Sequence, residues 1–126
     1  MLTQLARNGF LGGFVRDLRG RARDITGADS RVLLFASSQG AAEFSAFVAG
    51  APDPFFGGPS KVKGLTVGGR SGYLIEPPIC DCPGAYPVYV GIVADGPRLL
   101  WLQLTGPRVS IDDVHHLLEG ALSRGD

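Results

Sequence analysis

Apolar residues near the N-terminus recur with the spacing of an α-helix. The stripe consists of Leu11, Phe14, Val15 and Leu18, at positions i, i+3, i+4 and i+7. Nearby glycines disfavour the helix, because each costs a helix interior about 1 kcal/mol relative to alanine. The pattern predicts a helix within residues 1–20 that forms by packing on the protein's own core, on another subunit or on a membrane surface.

Further along the chain, apolar runs alternate with turn-forming segments. The pattern predicts a strand over residues 32–36 and a short helix over residues 40–48. Two hairpins follow, the first pairing 62–67 with 73–75 and the second pairing 88–94 with 99–105. The second hairpin turns at Asp95-Gly96, where glycine accepts the positive φ that such a turn needs.

The last predicted element is a helix over residues 111–122. Ser110 is placed to cap it, and Asp113 lies three residues further on, as in a capping box. Apolar residues then repeat at helical spacing up to Leu122, and Gly125 stands where a C-terminal cap belongs. We therefore expect this helix to pack one face on the sheet.

The order of these elements predicts an α+β fold, with a mostly antiparallel sheet of four to five strands and two or three helices packed on it. We interpret residues 1–126 as a single domain. In residues 88–93 and 99–104, both alternating faces are largely apolar, whereas a half-solvated strand should alternate. Either helices cover both faces of these strands, or another chain covers one of them.

Composition narrows the class of protein. The 126 residues are 44% hydrophobic and 19% charged, which is typical of a packed globule and not of a disordered chain. Twelve basic and twelve acidic side chains cancel, so no strong field favours nucleic acid as a partner. No apolar run approaches the roughly 20 residues of a transmembrane segment. With no signal-peptide pattern at the start, we expect a cytoplasmic protein.

Cys80 and Cys82 form the one reactive-looking motif. In an extended segment, the two thiols point to the same side and could chelate a soft metal or couple redox chemistry. A structural zinc site needs four protein ligands, but His115 and His116 are adjacent on a helix and diverge by about 100°. The alternatives are therefore two ordinary loop thiols, a strained disulfide, or a metal or redox site that uses the cysteines alone.

No catalytic pattern accompanies these residues. The chain contains no GxSxG, no phosphate-binding Walker pattern and no HExxH. His115 and His116 are better interpreted as one histidine at the edge of the core and one in solvent. We therefore expect a protein that is not an enzyme and needs no cofactor.

Phe55 and Phe56 lie in a segment rich in proline and glycine that cannot hold regular structure. Two adjacent aromatic side chains cannot both easily turn inward, and large aromatics serve as anchors in interface pockets. The alternatives are a loop that plugs its own core and a loop that contacts a partner.

Together these features favour a non-catalytic interaction module, meaning a small accessory or structural subunit that binds itself or a larger protein partner. The candidate partner-binding residues are Phe55, Phe56, Leu11, Phe14 and Leu18. A second hypothesis is a small-molecule binding domain, with a pocket for an apolar ligand between the sheet and the loops at 51–60 and 77–87. A third is a thiol or metal-binding protein that acts through Cys80 and Cys82.

The cysteine alternatives separate in one experiment. If Cys80 and Cys82 are ordinary loop thiols, replacing both with serine leaves the melting temperature and the assembly state nearly unchanged. Thermal unfolding and sedimentation measure these quantities. A large loss of either, or metal released stoichiometrically on unfolding, would contradict the loop-thiol alternative and favour the metal hypothesis.

Overall fold

A computed structural model describes residues 2–17, 27–53, 58–79 and 85–124. Within these ranges the chain forms three helices and six strands. In chain order, they are α1 (Leu2–Arg7), β1 (Phe10–Asp17), β2 (Gly27–Phe35), α2 (Ser38–Gly50), β3 (Lys61–Val67), β4 (Arg70–Glu76), β5 (Val88–Asp95), β6 (Arg98–Thr105) and α3 (Ile111–Arg124).

The six strands make one antiparallel sheet in the order β1-β2-β6-β5-β4-β3. The predicted α+β class is therefore confirmed. The strand count is one above the upper end of the predicted range, because β1 extends the sheet beyond β2. Three consecutive hairpins form the sheet, and the pairing of β2 with β6 joins the first to the rest.

The apolar stripe predicted to form an N-terminal helix lies instead in a strand, as far as the described residues extend. α1 ends at Arg7, and β1 pairs with β2 from Phe10 to Asp17. The physical reason lies in the glycines: a Cβ on Gly13 would stand 3.0 Å from Leu33 Cδ2, so this position suits a close strand pair. The helix over residues 1–20 is therefore wrong as an element, and Leu18 lies outside the described residues.

The later elements follow the sequence pattern. The hairpin β3–β4 turns at Gly68 and Gly69, with φ of 54° and 76°, and β5–β6 turns at Gly96 with φ of 59°. Glycine adopts these angles without steric cost, whereas a side chain would strain them. At the start of α3, the Ser110 N–H donates to Asp113 Oδ2 at 2.9 Å, and the Asp113 N–H donates to Ser110 Oγ at 3.3 Å. The capping box is confirmed.

The helices cover opposite faces of the sheet. On the α2 face, the buried cluster contains Leu5, Phe35, Ala41, Phe44, Val48, Ile75, Val90, Ile92, Leu99 and Trp101. On the α3 face, it contains Ala28, Val67, Leu74, Val93, Leu100, Leu102, Leu104, Val109, Val114 and Leu118. Each large side chain buried in this way contributes about 1.5–3 kcal/mol relative to solvent exposure.

This arrangement explains why β5 and β6 are apolar on both sides. The face away from α3 is buried by α2 of the same chain, whose Phe44 and Val48 are fully buried. Of the two alternatives given by the sequence, the structure shows the first, in which helices of the same chain cover both faces. Each of the two central strands contacts both α2 and α3.

Gly91 sets how closely α3 approaches the sheet. A Cβ at this position of β5 would lie 2.5 Å from Val114 Cγ1 and 2.7 Å from Leu118 Cδ1. Since real Cβ atoms do not approach other atoms so closely, the bare glycine backbone gives α3 the room to pack directly against β5.

Side-chain hydrogen bonds centred on the buried Asn8 attach α1 to α2. Asn8 Nδ2 donates to Glu43 Oε2 at 3.0 Å, and Gln4 Nε2 donates to Asn8 Oδ1 at 2.7 Å. Asn8 is 4% exposed, so these hydrogen bonds satisfy an amide that burial would otherwise penalise. The short first helix is thereby held beside the N-terminal half of α2.

None of the helices in the described ranges has the length and apolar character that crossing a membrane requires.

Substitution of Gly72 in β4 tests how closely β4 packs beside β5. A Cβ at Gly72 would collide with the carbonyl oxygen of Ile92 in β5. Because that oxygen belongs to the backbone, Gly72→Ala should lower the free energy of unfolding by about 2 kcal/mol. Gly64→Ala is the matched control, since no atom lies within 4 Å of the added methyl. Chemical denaturation measures both, and equal stability of the two variants would contradict the close packing.

Candidate functional site

A groove lies at the end of the sheet where β3 begins and β4 ends. Its volume is about 240 Å³, and it is open to solvent on one side. Its lining residues come from three stretches of chain and are Pro59, Lys61, Glu76, Pro77, Pro78, Ile79, Pro87, Val88 and Tyr89. The second hypothesis from the sequence placed a pocket between the sheet and these same loops.

Prolines define the rim of this groove. Pro77 follows the last residue of β4, and Pro87 precedes the first residue of β5. Because proline has no backbone N–H, it ends strand pairing at such positions and keeps the local backbone stiff. Added to Gly58, a Cβ would lie 3.2 Å from Pro78 Cγ, so the segments before β3 and after β4 pack together.

Hydrogen bonds fix the neighbouring loop segments. The Ser60 N–H donates to Asp53 Oδ1 at 3.2 Å, which holds the approach to β3. Thr105 Oγ1 donates to the carbonyl oxygen of Pro87 at 3.1 Å, which ties the entry of β5 to the end of β6. The groove therefore rests on ordered strand ends.

Charges of both signs flank the groove. Lys61 stands directly opposite Glu76 in the β3–β4 pairing, and both side chains line the groove. The pair makes no ion pair within 4.0 Å among the described residues, unlike Asp95, which pairs with Arg98 and, at 3.1 Å, with Arg70. Within the same residues, no three side chains of His, Cys, Asp or Glu are arranged to hold a metal ion.

Of the large apolar side chains that are exposed among the described residues, one lines the groove and two belong to chain neighbours of lining residues. Ile79 is 54% exposed and lines it, while Tyr86 and Val62 are 41% and 38% exposed and are chain neighbours of lining residues. We call Val62, Ile79 and Tyr86 the apolar rim. Elsewhere, Leu11 is 71% exposed beside an irregularity in the pairing of β1 with β2.

Several residues singled out from the sequence lie outside the described part of the chain. They are Phe55, Phe56, Leu18, Cys80 and Cys82. Their proposed roles stay predictions. Leu11 and Phe14 lie in β1, where Phe14 is paired with Val32 of β2. The stripe proposed for partner binding is thus carried by an edge strand.

The two histidines take the places expected for them. His115 is half-buried, and its Nε2 lies 3.0 Å from the carbonyl oxygen of Thr66 in β3. His115 Nδ1 also lies 3.5 Å from Glu119 Oε2, while His116 is exposed. His115 therefore connects α3 to the backbone of the outermost strand.

Sequence reasoning missed the apolar rim and the opposed charges of Lys61 and Glu76. Proline-rich segments flanking the strands were a usable signal for the loops. The register that sets Lys61 against Glu76 follows from the turn at Gly68 and Gly69, by counting outward along the hairpin.

No known protein family and no curated protein matches the chain. Among solved structures, it is similar to the extracellular domain of PknH from Mycobacterium tuberculosis, with a TM-score of 0.46 and 11% identity over 97% of this chain and 69% of that one. It is also similar to PA94 from Pseudomonas aeruginosa, a protein of unknown function, with a TM-score of 0.44 and 18% identity over 90% of this chain and 78% of that one. At these scores, neither likeness supports a functional conclusion.

The apolar rim should be dispensable for folding. Ile79→Ser should change the free energy of unfolding by less than about 0.5 kcal/mol, because the side chain is mostly in solvent. Ile75→Ser, four residues earlier in β4 and fully buried, should cost about 3 kcal/mol or more. Urea denaturation compares the two, and a comparable loss in both variants would place Ile79 in the core.

Proposed function

We propose that the protein is a non-catalytic interaction module, an accessory or structural subunit that docks a protein partner at the groove end of its sheet. The observation that carries this proposal is the apolar rim of Val62, Ile79 and Tyr86 at or beside an open groove.

The solvent cost of the apolar rim supports docking. Fully burying one large apolar side chain is worth about 1.5–3 kcal/mol, and these three forgo much of it in the isolated chain. Tyrosine is enriched at interfaces because its ring is apolar and its hydroxyl still forms hydrogen bonds. A partner that covers the rim gains this burial without displacing any part of the core.

The rigidity of the site also supports docking. The groove is built on the ends of β3, β4 and β5, and four of its lining residues are prolines. A surface that is already ordered pays little conformational entropy on binding, so more of the contact energy appears as affinity.

Binding of an apolar small molecule is the second candidate, because the groove lies between the sheet and the loops. Its volume of about 240 Å³ falls below the roughly 300–1,000 Å³ of ordinary ligand pockets. An open groove also buries little of a small ligand. An extended segment of a protein uses such a surface better, since it also contacts the surrounding rim.

Photocrosslinking inside cells of the source organism tests the proposal. A photoreactive amino acid replacing Ile79 should give a discrete adduct whose mass and peptides identify a protein. The same amino acid replacing Ser123, which is exposed at the C-terminal end of α3, is the matched control.

Three results are distinguishable. An adduct at position 79 and none at position 123 supports docking at the groove. Equal labelling at both positions, or no protein adduct at position 79, contradicts it. A low-mass adduct at position 79, or a ligand retained in native mass spectrometry of the purified protein, would favour the small-molecule alternative.

A further inference from the structure

The chain contains only two lysines, Lys61 and Lys63, and its other ten basic residues are arginines. Both lysines lie on β3, the outermost strand at one edge of the sheet, and both are exposed. Because side chains alternate along a strand, residues 61 and 63 point to the same face. Two flexible positive charges are thus aligned along an open edge.

Among the described residues, no acidic side chain forms an ion pair with these lysines. Across the β3–β4 pairing, Lys61 faces Glu76 and Lys63 faces Leu74, yet no carboxylate among the described residues lies within 4.0 Å of either ammonium group. Val62 stands between them on the other face and is 38% exposed. The edge therefore presents a repeating pattern of charge, apolar group and charge.

The two edges of the sheet differ in their fitness for pairing. β3 keeps an uninterrupted register with β4 from Lys61 to Val67. β1 is irregular between Phe10 and Gly12, and such bulges blunt an edge. Near the far end of β3, His115 contacts the carbonyl oxygen of Thr66, so the open stretch is the half that begins at the groove.

We propose that β3 binds an extended acidic segment of the partner by β-strand addition. Acidic side chains at alternating positions would lie against Lys61 and Lys63, and an apolar side chain between them would cover Val62. Backbone hydrogen bonds to the outer edge of β3 supply affinity, and the lysines select the partner. This inference rests on the proposed docking function and names the chemistry of its partner.

The same lysines argue against a second copy of this chain as the occupant. Pairing β3 with β3 would bring two more lysines to the interface, and edge lysines disfavour such self-association. A segment of alternating acidic and apolar residues matches both faces of β3. A nucleic acid would match the charges but would leave Val62 without an apolar partner.

A short synthetic peptide in which glutamate alternates with valine tests the inference by fluorescence anisotropy at low salt. The full protein should bind it, and the double variant K61E/K63E should bind roughly tenfold or more weakly, because each attraction becomes a repulsion. The control R7E/R31E makes the same change in net charge at two exposed positions outside β3 and should bind normally. Circular dichroism checks that all variants fold.

Peptide backbone methylation separates strand addition from charge attraction. N-methyl groups along the pairing edge of the peptide should abolish binding, while methyl groups along its other edge should not. Equal binding of both methylated peptides, no binding of the parent peptide, or an unchanged affinity of K61E/K63E overturns the inference. Tighter binding of a single-stranded oligonucleotide than of the peptide also overturns it.

The crosslinking experiment at position 79, repeated in K61E/K63E, distinguishes failure of strand addition at β3 from failure of docking at the groove. Loss of the protein adduct supports strand addition at β3. An adduct that persists refutes the acidic-segment inference and leaves docking at the groove intact. Absence of a protein adduct in the wild-type background refutes the docking function itself.

Discussion

Burial of both faces of the two central strands is the constraint on which the structure depends. β5 and β6 carry apolar residues at nearly every position, so a single helical layer would leave half of them in water. α2 and α3 meet this demand from opposite sides, and each contacts both strands. Two further contacts serve this burial. α3 packs closely against β5 at Gly91, and Asn8 attaches α1 to α2 on the other face.

Covering the centre of the sheet twice leaves its periphery exposed. The described helices lie mainly over the middle strands. Apart from Phe47 in α2, the exposed large apolar side chains of the described residues belong to the connecting segments and the outer strands. The proposed docking groove lies among strand ends for this reason. The core holds the walls of the groove in place, while the groove surface itself is not part of the core. The core variant Ile75→Ser and the rim variant Ile79→Ser differ in expected cost for this reason.

Local rules predicted the elements whose signals are local. Asp95-Gly96, the Ser110–Asp113 box and the apolar stripe of the last helix each act within a few residues, and all three appear in the structure. β1 was mispredicted because its apolar residues repeat at the spacing of a helix. That spacing does not show that Gly13 allows the chain to pair closely with β2, a contact between separate parts of the sequence. Local rules could not predict that α2 packs on the face opposite α3, or that Pro59 and Pro78 line one groove. Both features depend on contacts between distant parts of the chain.

The unequal edges carry the functional argument furthest. A sheet that ends in two exposed strands needs some device at each edge to prevent indiscriminate pairing. At β1 the pairing is irregular between Phe10 and Gly12, and this irregularity blunts the start of that edge. At β3 the backbone is regular and the device is charge, which repels a copy of itself and attracts a strand of the opposite sign. A bulge only disfavours pairing, whereas two aligned lysines also attract a strand of opposite charge, and this difference is the basis of the strand addition proposed at β3.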